Sequence, residues 1–483
     1  MFEKLKTTPV GWETDSKERK SYYIYFAGQN MIYTLVSTYL VTYLMFQGVN
    51  LAKAGTIMLL VKVWDAVNDA IFGVIFDSVK FKSGKKYLPW LRISTVLIPL
   101  STILLFLIPK SSGETLKLIW FAVAYICWDT AYTLCDVPIY GVITSMTKNM
   151  DERNGMLSYK SIWGGVGTAI ATLIASVLVS EGVGSNYSVV AIIISVGALI
   201  TMIPVLYHVK ERFNSVDEES FTIKRMFTYL FKNKYLLIYY IGFFFYSAFN
   251  VSASFNLFVS YYIFKNELFA LVVGAIGVVP QLIFSLLIPK MLKKFDKTKL
   301  MMLCNILNCI LSVAIWLIGR ENIYVYIVLS TLRAIPMGIY GVLMFMFTPD
   351  CAEYGKYTSG IEATGITFAI QTFMVKLTAA ISGALGMFLL GLKATGWVSV
   401  EVENFEELSN SGITQSAHAL DVLWFIYIMV PALGCLIALI IWNFYKLSDK
   451  DVQIMADCNA GKINRNQAER KLNNIRKKHR RHR

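Results

Sequence analysis

The sequence predicts an all-α polytopic membrane protein, with twelve transmembrane helices arranged in two six-helix halves. Three observations lead there. Hydrophobic residues make up 55% of the 483 residues and charged ones only 16%, with a mean hydropathy of +0.52, whereas a soluble chain carries about a quarter charged residues. The apolar residues fall in runs of about 20 or more, enough to cross a hydrocarbon core about 30 Å thick. Lysine and arginine gather in alternate connections between those runs, which is the signature of membrane orientation.

The runs cover 21–47, 52–78, 88–109, 115–146, 158–180, 188–208, 235–263, 267–291, 299–318, 322–348, 363–392 and 418–446. Several exceed the minimum length, so tilt or extension beyond the bilayer is expected. One set of connections holds Lys80, Lys82, Lys85 and Lys86, then Lys148 and Arg153, then Lys210, Arg212, Lys224 and Arg225, then Lys290, Lys293, Lys294 and Lys297. Both ends of the chain share this basic character. The 393–417 connection instead sets Glu401, Glu403, Glu406 and Glu407 against a single Lys393. By the positive-inside rule both termini are expected to be cytoplasmic, in the cytoplasmic (plasma) membrane.

The chain divides accordingly into a cytoplasmic N-terminal segment (1–20), a first bundle (21–208), a cytoplasmic linker (209–234), a second bundle (235–446) and a basic tail (447–483). Met1 to Lys20 is polar and charged, so no cleavable signal peptide is expected and the first span directs insertion. The tail reads as a solvated segment that helps fix topology, or one lying against anionic membrane lipid. Two six-span halves joined by a cytoplasmic linker is the plan of the major facilitator superfamily, which places a substrate site near mid-membrane.

The net charge of +14 does not point to nucleic acid, because the basic residues sit in short loops and at the termini. The seven cysteines lack metal-ligand spacing and mostly fall within spans, as small core residues do. An enzyme is not expected: no nucleophile–base pair stands out, and the four histidines (208, 418, 479 and 482) lie at span edges or in the tail.

The polar residues inside the spans carry the functional reading. Span two holds Lys62, Asp65 and Asp69; the spacing of three and four keeps them on one helix face. Span four holds Asp129, Thr133, Asp136 and Tyr140, again on one face, with Pro138 able to bend the helix and free carbonyls near Asp136. Charged groups at membrane depth are costly and mark ion or substrate paths. Asp65, Asp69, Asp136 and the Thr133 hydroxyl would form an oxygen cage for a hard cation such as Na⁺, or hold a proton. Two plainer arrangements stand beside this one: Asp65 paired with Lys62, and Asp129 making a polar contact between helices. For Asp129 the two readings weigh equally. Gln29 and Asn30 in span one suit a hydroxyl-rich ligand, although amides also join transmembrane helices. Lys376 in span eleven needs a carboxylate, a cavity or an interface to snorkel to. Trp64, Trp128, Tyr132 and Tyr140 offer faces on which a sugar ring stacks, as well as ordinary packing.

Lys62-Val-Trp-Asp-Ala-Val-Asn-Asp69 with Ser83-Gly-Lys-Lys-Tyr-Leu-Pro-Trp90 resembles span two and its loop in the glycoside–pentoside–hexuronide:cation symporter family. Tyr132-Thr-Leu-Cys-Asp-Val-Pro138, Asp350-Cys-Ala-Glu-Tyr-Gly-Lys356 and Gln371-Thr-Phe-Met-Val-Lys376 resemble that family's span four, the loop after span ten and span eleven. The matches keep their order over the whole membrane domain.

The resemblance implies alternating-access symport of a sugar or glycoside with a monovalent cation, Na⁺, Li⁺ or H⁺, by a monomer with no other cofactor. It implies a cation site at Asp65, Asp69, Thr133 and Asp136, sugar contact by Asp136 and Tyr140, and a coupling lysine at Lys376. Gln29-Asn30 stands where a well-known member carries a sugar-binding lysine–aspartate pair. Lys160 stands in place of a sugar-contacting arginine, a point charge for a bidentate fork. Glu362 falls near the place of another arginine usual in the family. The sugar is therefore left open. An amphipathic lipid carried on the same scaffold, or a non-transporting sensor acting through the tail, are the competing functions.

Overall fold

A computed structural model describes residues 12–79, 81, 83–213, 223–360 and 364–481, with some helical side chains, that of Asp69 among them, outside the described set. Among the described residues the chain is helical, with a single isolated bridge between Gln47 and Glu401.

The first half comprises α1 (Ser16–Thr34), a π-turn (Leu35–Tyr39), α2 (Leu40–Phe46), α3 (Leu51–Ser78), α4 (Leu88–Leu105), α5 (Glu114–Met146), α6 (Met150–Leu178) and α7 (Tyr187–His208). The linker adds α8 (Ile223–Lys232). The second half runs through α9 (Lys234–Ala248), α10 (Ser252–Tyr262), α11 (Phe269–Met291), α12 (Lys297–Ile318), α13 (Ile323–Leu343), α14 (Phe347–Ser359), α15 (Thr364–Leu390), α16 (Phe405–Asn410) and α17 (Ala417–Trp442). Among the described residues nine helices are long and apolar enough to cross a membrane by length and composition.

Side-chain oxygens start these helices where the sequence offers them. Asp15 accepts from the amides of Lys17 and Glu18 while Glu18 accepts from the Asp15 amide, a reciprocal cap on α1. Asn50, Asn186, Asn233 and Asp296 cap α3, α7, α9 and α12 one way, each side-chain oxygen accepting from an amide of the first turn. Glu211 closes α4 from the linker, accepting from the amides of Lys86, Tyr87 and Leu88 at 2.7, 3.0 and 2.6 Å. A carboxylate at this end also meets the positive pole of the helix.

Two spans depart from a single predicted helix. Span one contains the π-turn, and span seven breaks between α9 and α10. The carbonyl of Asn250 at the break accepts from Ser382 Oγ at 2.7 Å, which keeps an interrupted helix tolerable in hydrocarbon. The tail also differs from a solvated segment: it forms α18 (Asp449–Asn459) and α19 (Arg465–Arg481). Met455, Ala468 and Leu472 are buried, and Met455 and Leu472 join a core with Met226 and Leu230 of α8. Lys297 pairs with Asp350 and lies 3.3 Å from Asp449, tying α18 to the start of α12.

The chain forms two compact units. One holds Met1–Ser220, Ala253–Leu271 and Gly383–Val422; the other holds Phe221–Ser252, Val272–Ser382 and Leu423–Arg483. Within the first unit the acidic 393–417 connection is anchored at the ends of α2 and α5. Buried Lys117 reaches Glu401 at 2.5 Å and the Gln47 carbonyl at 3.1 Å, and Asn186 holds Glu403 at 2.9 Å.

Also in the first unit, α1 packs closely on α6 and α7. A Cβ at Gly167 would overlap the Ala27 carbonyl and lie 2.8 Å from its carbon; one at Gly28 would lie 2.7 Å from the Ala198 carbonyl. These neighbours are backbone and have no rotamer to yield. Gly167→Ala is expected to destabilise the protein by about 1–3 kcal/mol through overpacking; an unchanged thermal midpoint would contradict this contact.

The segment before α1 is held by fully buried Glu152. It accepts from the amides of Glu13 and Thr14 at 2.9 and 3.1 Å, from Thr147 Oγ1 at 2.6 Å, and from the Thr14 hydroxyl. Burial raises the Glu152 pKa, but the hydrogen bonds from Thr14, Thr147 and the two amides outweigh it and hold the carboxyl below its ordinary 4.5. A depressed carboxyl contributes stability above its unfolded value, and that contribution is lost as pH falls through the folded one. The protection of residues 12–20 against hydrogen exchange, taken relative to the intrinsic rate at each pH, is therefore expected to fall below about pH 4.5; protection unchanged down to pH 3 would contradict this anchor.

Candidate functional site

The site lies in the first unit, where α3 packs beside α5. Asn68 Nδ2 donates to Thr133 Oγ1 at 3.1 Å, and Trp64 Nε1 to Thr130 Oγ1 at 3.4 Å. These contacts set the two polar stripes against each other. Between them stands Lys62, its Nζ 3.1 Å from Asp129 Oδ1 and 3.6 Å from Asp65 Oδ2, and 5.4 Å from the centroid of the Tyr125 ring. The side chains of Lys62 and Asp65 are each 16% exposed and that of Asp129 only 5%. Lys62 therefore serves two carboxylates. Asp129, left between two roles by its sequence position, is the nearer partner.

One helix turn beyond Thr133, Asp136 Oδ1 accepts from Gln29 Nε2 at 3.0 Å, and Gln29 itself is buried. Tyr25 on α1 and Cys135 on α5 share a hydrogen bond of 2.8 Å. Asn30 turns its amide to the Phe26 carbonyl of its own helix at 2.8 Å and lies against Gly164. Lys160 donates to Tyr140 Oη at 2.7 Å and stands 4.0 Å from the Tyr140 ring centroid and 4.9 Å from that of Phe26. Tyr33 and Tyr140 are partly exposed, and the Tyr33 ring lies 5.8 Å from that of Tyr132.

The predicted residues thus fall into three adjoining groups: Lys62 with Asp65 and Asp129, Asp136 with Gln29, and Tyr140 with Lys160. Thr133 is buried and joined to Asn68. Among the described residues no three acidic, histidine or cysteine side chains converge as a metal cage. The side chain of Asp69 lies outside the described residues, as does Glu362. Lys376 is half-buried on α15 in the second unit.

Three residues with no role in the sequence reading emerge here. Asn68, inside the span-two motif, is the hydrogen-bond link to Thr133. Glu211 is the α4 cap described above. Arg333, the lone basic residue in the apolar run of α13, is buried in the second unit beside Tyr326, Tyr427 and Tyr246. Its signal was legible as a charge at mid-span.

Chemically, among the described residues Asp65, Asp129 and Asp136 outnumber the two nearby ammoniums of Lys62 and Lys160, which leaves an excess of negative charge in a poorly solvated layer. Such a layer attracts a small cation, and its oxygen donors suit an alkali ion or a proton. The neighbouring amides, hydroxyls and partly exposed aromatic rings suit a polyhydroxylated ligand.

The profile of a family described as MFS/sugar transport protein matches residues 21–449. The isoprimeverose transporter of Lactiplantibacillus pentosus is 27% identical over 91% of this chain and 90% of its own length. The glucuronide carrier protein homolog of Escherichia coli is 26% identical, over 83% of this chain and 86% of its own. The crystal structure of the nucleoside transporter NupG superposes with a TM-score of 0.60 at 15% identity, covering 89% of this chain and 99% of that one; this likeness concerns the fold alone.

Proposed function

The chain belongs to the MFS/sugar transport protein family, and from that premise we propose that it is a cation-coupled glycoside symporter of the glycoside–pentoside–hexuronide type. It works in the cytoplasmic membrane with both termini cytoplasmic, by alternating access, and as a monomer. The relatives' names give isoprimeverose and glucuronides as cargo, so a small glycoside is the class to test. The coupling ion is Na⁺, Li⁺ or H⁺, taken by Asp65, Asp69, Asp136 and the Thr133 hydroxyl. Asp136 also faces the sugar, together with Gln29, Asn30, Tyr140 and Lys160.

The observation that carries this reading is the charge imbalance at α3 and α5 among the described residues: three buried or half-buried carboxylates against the ammoniums of Lys62 and Lys160. An empty layer of this kind is unfavourable in low dielectric, and a bound cation relieves it. If the relieved arrangement is the one that binds sugar, each ligand raises the affinity for the other by the same factor.

The test is uptake of radiolabelled glycosides into proteoliposomes with Na⁺, Li⁺ and proton gradients imposed separately. One of the three is expected to drive accumulation above equilibrium. Uptake that only equilibrates under all three gradients contradicts symport.

A further inference from the structure

The Lys62 ammonium has two claimants on different helices. Asp65 lies one turn away on its own helix at 3.6 Å, and Asp129 lies across on α5 at 3.1 Å. The Asp129 carboxylate is the more deeply buried, and its Oδ2 has no hydrogen-bond partner among the described residues. Tyr125 places an aromatic face near the same ammonium. A single positive charge between two carboxylates neutralises one of them at a time. Moving it by a fraction of its side chain's reach decides which carboxylate remains free.

We propose that Asp129 is a positioning residue that receives the Lys62 ammonium and so frees Asp65 for the coupling cation. With the cation bound, Lys62 rests on Asp129. When the cation leaves, Lys62 bridges back to Asp65, so the empty carrier does not hold an uncompensated carboxylate there. The ammonium is thus a tethered competitor of the coupling ion, and Asp129 sets how strongly it competes. This rests on the symport reading above and adds a determinant of ion affinity to it.

The test uses the full chain in lipid nanodiscs, without sugar. Na⁺, Li⁺ or protons are titrated while the fluorescence of the nearby tryptophans is followed, and half-saturating concentrations are read for the wild type, Asp129→Asn, Asp129→Glu, Lys62→Gln and the Asp129→Asn/Lys62→Gln pair. Asp129→Asn returns Lys62 to Asp65 and is expected to raise the half-saturating concentration about tenfold or more, the scale of one lost charge-assisted contact. The conservative Asp129→Glu is expected to stay within about threefold of wild type. The double variant lacks the competitor and is expected to recover most of the loss.

A merely structural Asp129 would not be rescued by removing Lys62. An Asp129→Asn variant that titrates like wild type, or a double variant as weak as the single one, overturns the exchange. If Asp129→Asn does not insert, Lys62→Gln alone decides: tighter cation binding supports the exchange, and equal or weaker binding overturns it. A wild type that responds to none of the three ions removes the symport reading and the exchange together, whereas a responsive wild type with an indifferent Asp129→Asn removes the exchange alone.

Discussion

Asp136→Asn is expected to lower glycoside uptake about 100-fold and to abolish both sugar binding and cation stimulation. The size follows from two losses at one position. The hydrogen bond from Gln29 to a charged acceptor, at 3.0 Å, becomes a neutral one, and hydrogen bonds to charged groups contribute about 1.5–3 kcal/mol against about 1 for neutral ones. The layer also loses one unit of the negative charge that attracts the cation. Together these amount to about 3 kcal/mol, and each 1.4 kcal/mol is about tenfold. Gln29→Ala removes only the first and is expected to cost about tenfold. Binding assays with the purified variants check this. Normal sugar binding by Asp136→Asn would separate the sugar site from the carboxylate layer.

Asp65→Asn is expected to act differently. It should abolish stimulation by the coupling ion while sugar binding measured without the ion stays within about tenfold of wild type. The reason is its company: Asp65 shares Lys62 with Asp129, whereas the groups proposed to face the sugar, Gln29, Tyr140 and Lys160, cluster around Asp136 and Phe26. In this variant Lys62 also loses its second carboxylate and keeps an ion pair with Asp129. Uptake measured with and without an ion gradient reads the effect as a ratio, which corrects for any difference in expression. A variant still fully stimulated by the ion removes Asp65 from the cation site.

The membrane helices were legible because the bilayer imposes a length on every apolar run, and α3, α5 and α7 begin or end within a residue or two of the sequence-based bounds. The polar stripes were legible for a similar reason: the 62, 65, 69 and 129, 133, 136, 140 spacings are local and follow from helix geometry alone. What stayed hidden depends on partners distant in the chain. Lys62 was visibly one turn from Asp65, but its closer contact with Asp129 comes only from the packing of α3 on α5. The break in span seven needs Ser382 to satisfy Asn250. The tail looked like a solvated basic segment because its few buried residues, Met455 and Leu472 among them, are spread through a polar sequence. They count as apolar contacts only once α8 lies beside them. Glu211 gave no signal as a cap, since the helix it closes begins more than a hundred residues earlier.

The central claim is that carboxylates on α3 and α5 make one ligand's binding depend on the other's. Calorimetric titration of the wild type measures this directly: sugar affinity with and without the coupling ion, and ion affinity with and without sugar. The account predicts that the two enhancement factors are equal, at about tenfold or more, and that both fall to unity in Asp65→Asn. A sugar affinity indifferent to Na⁺, Li⁺ and pH would contradict it.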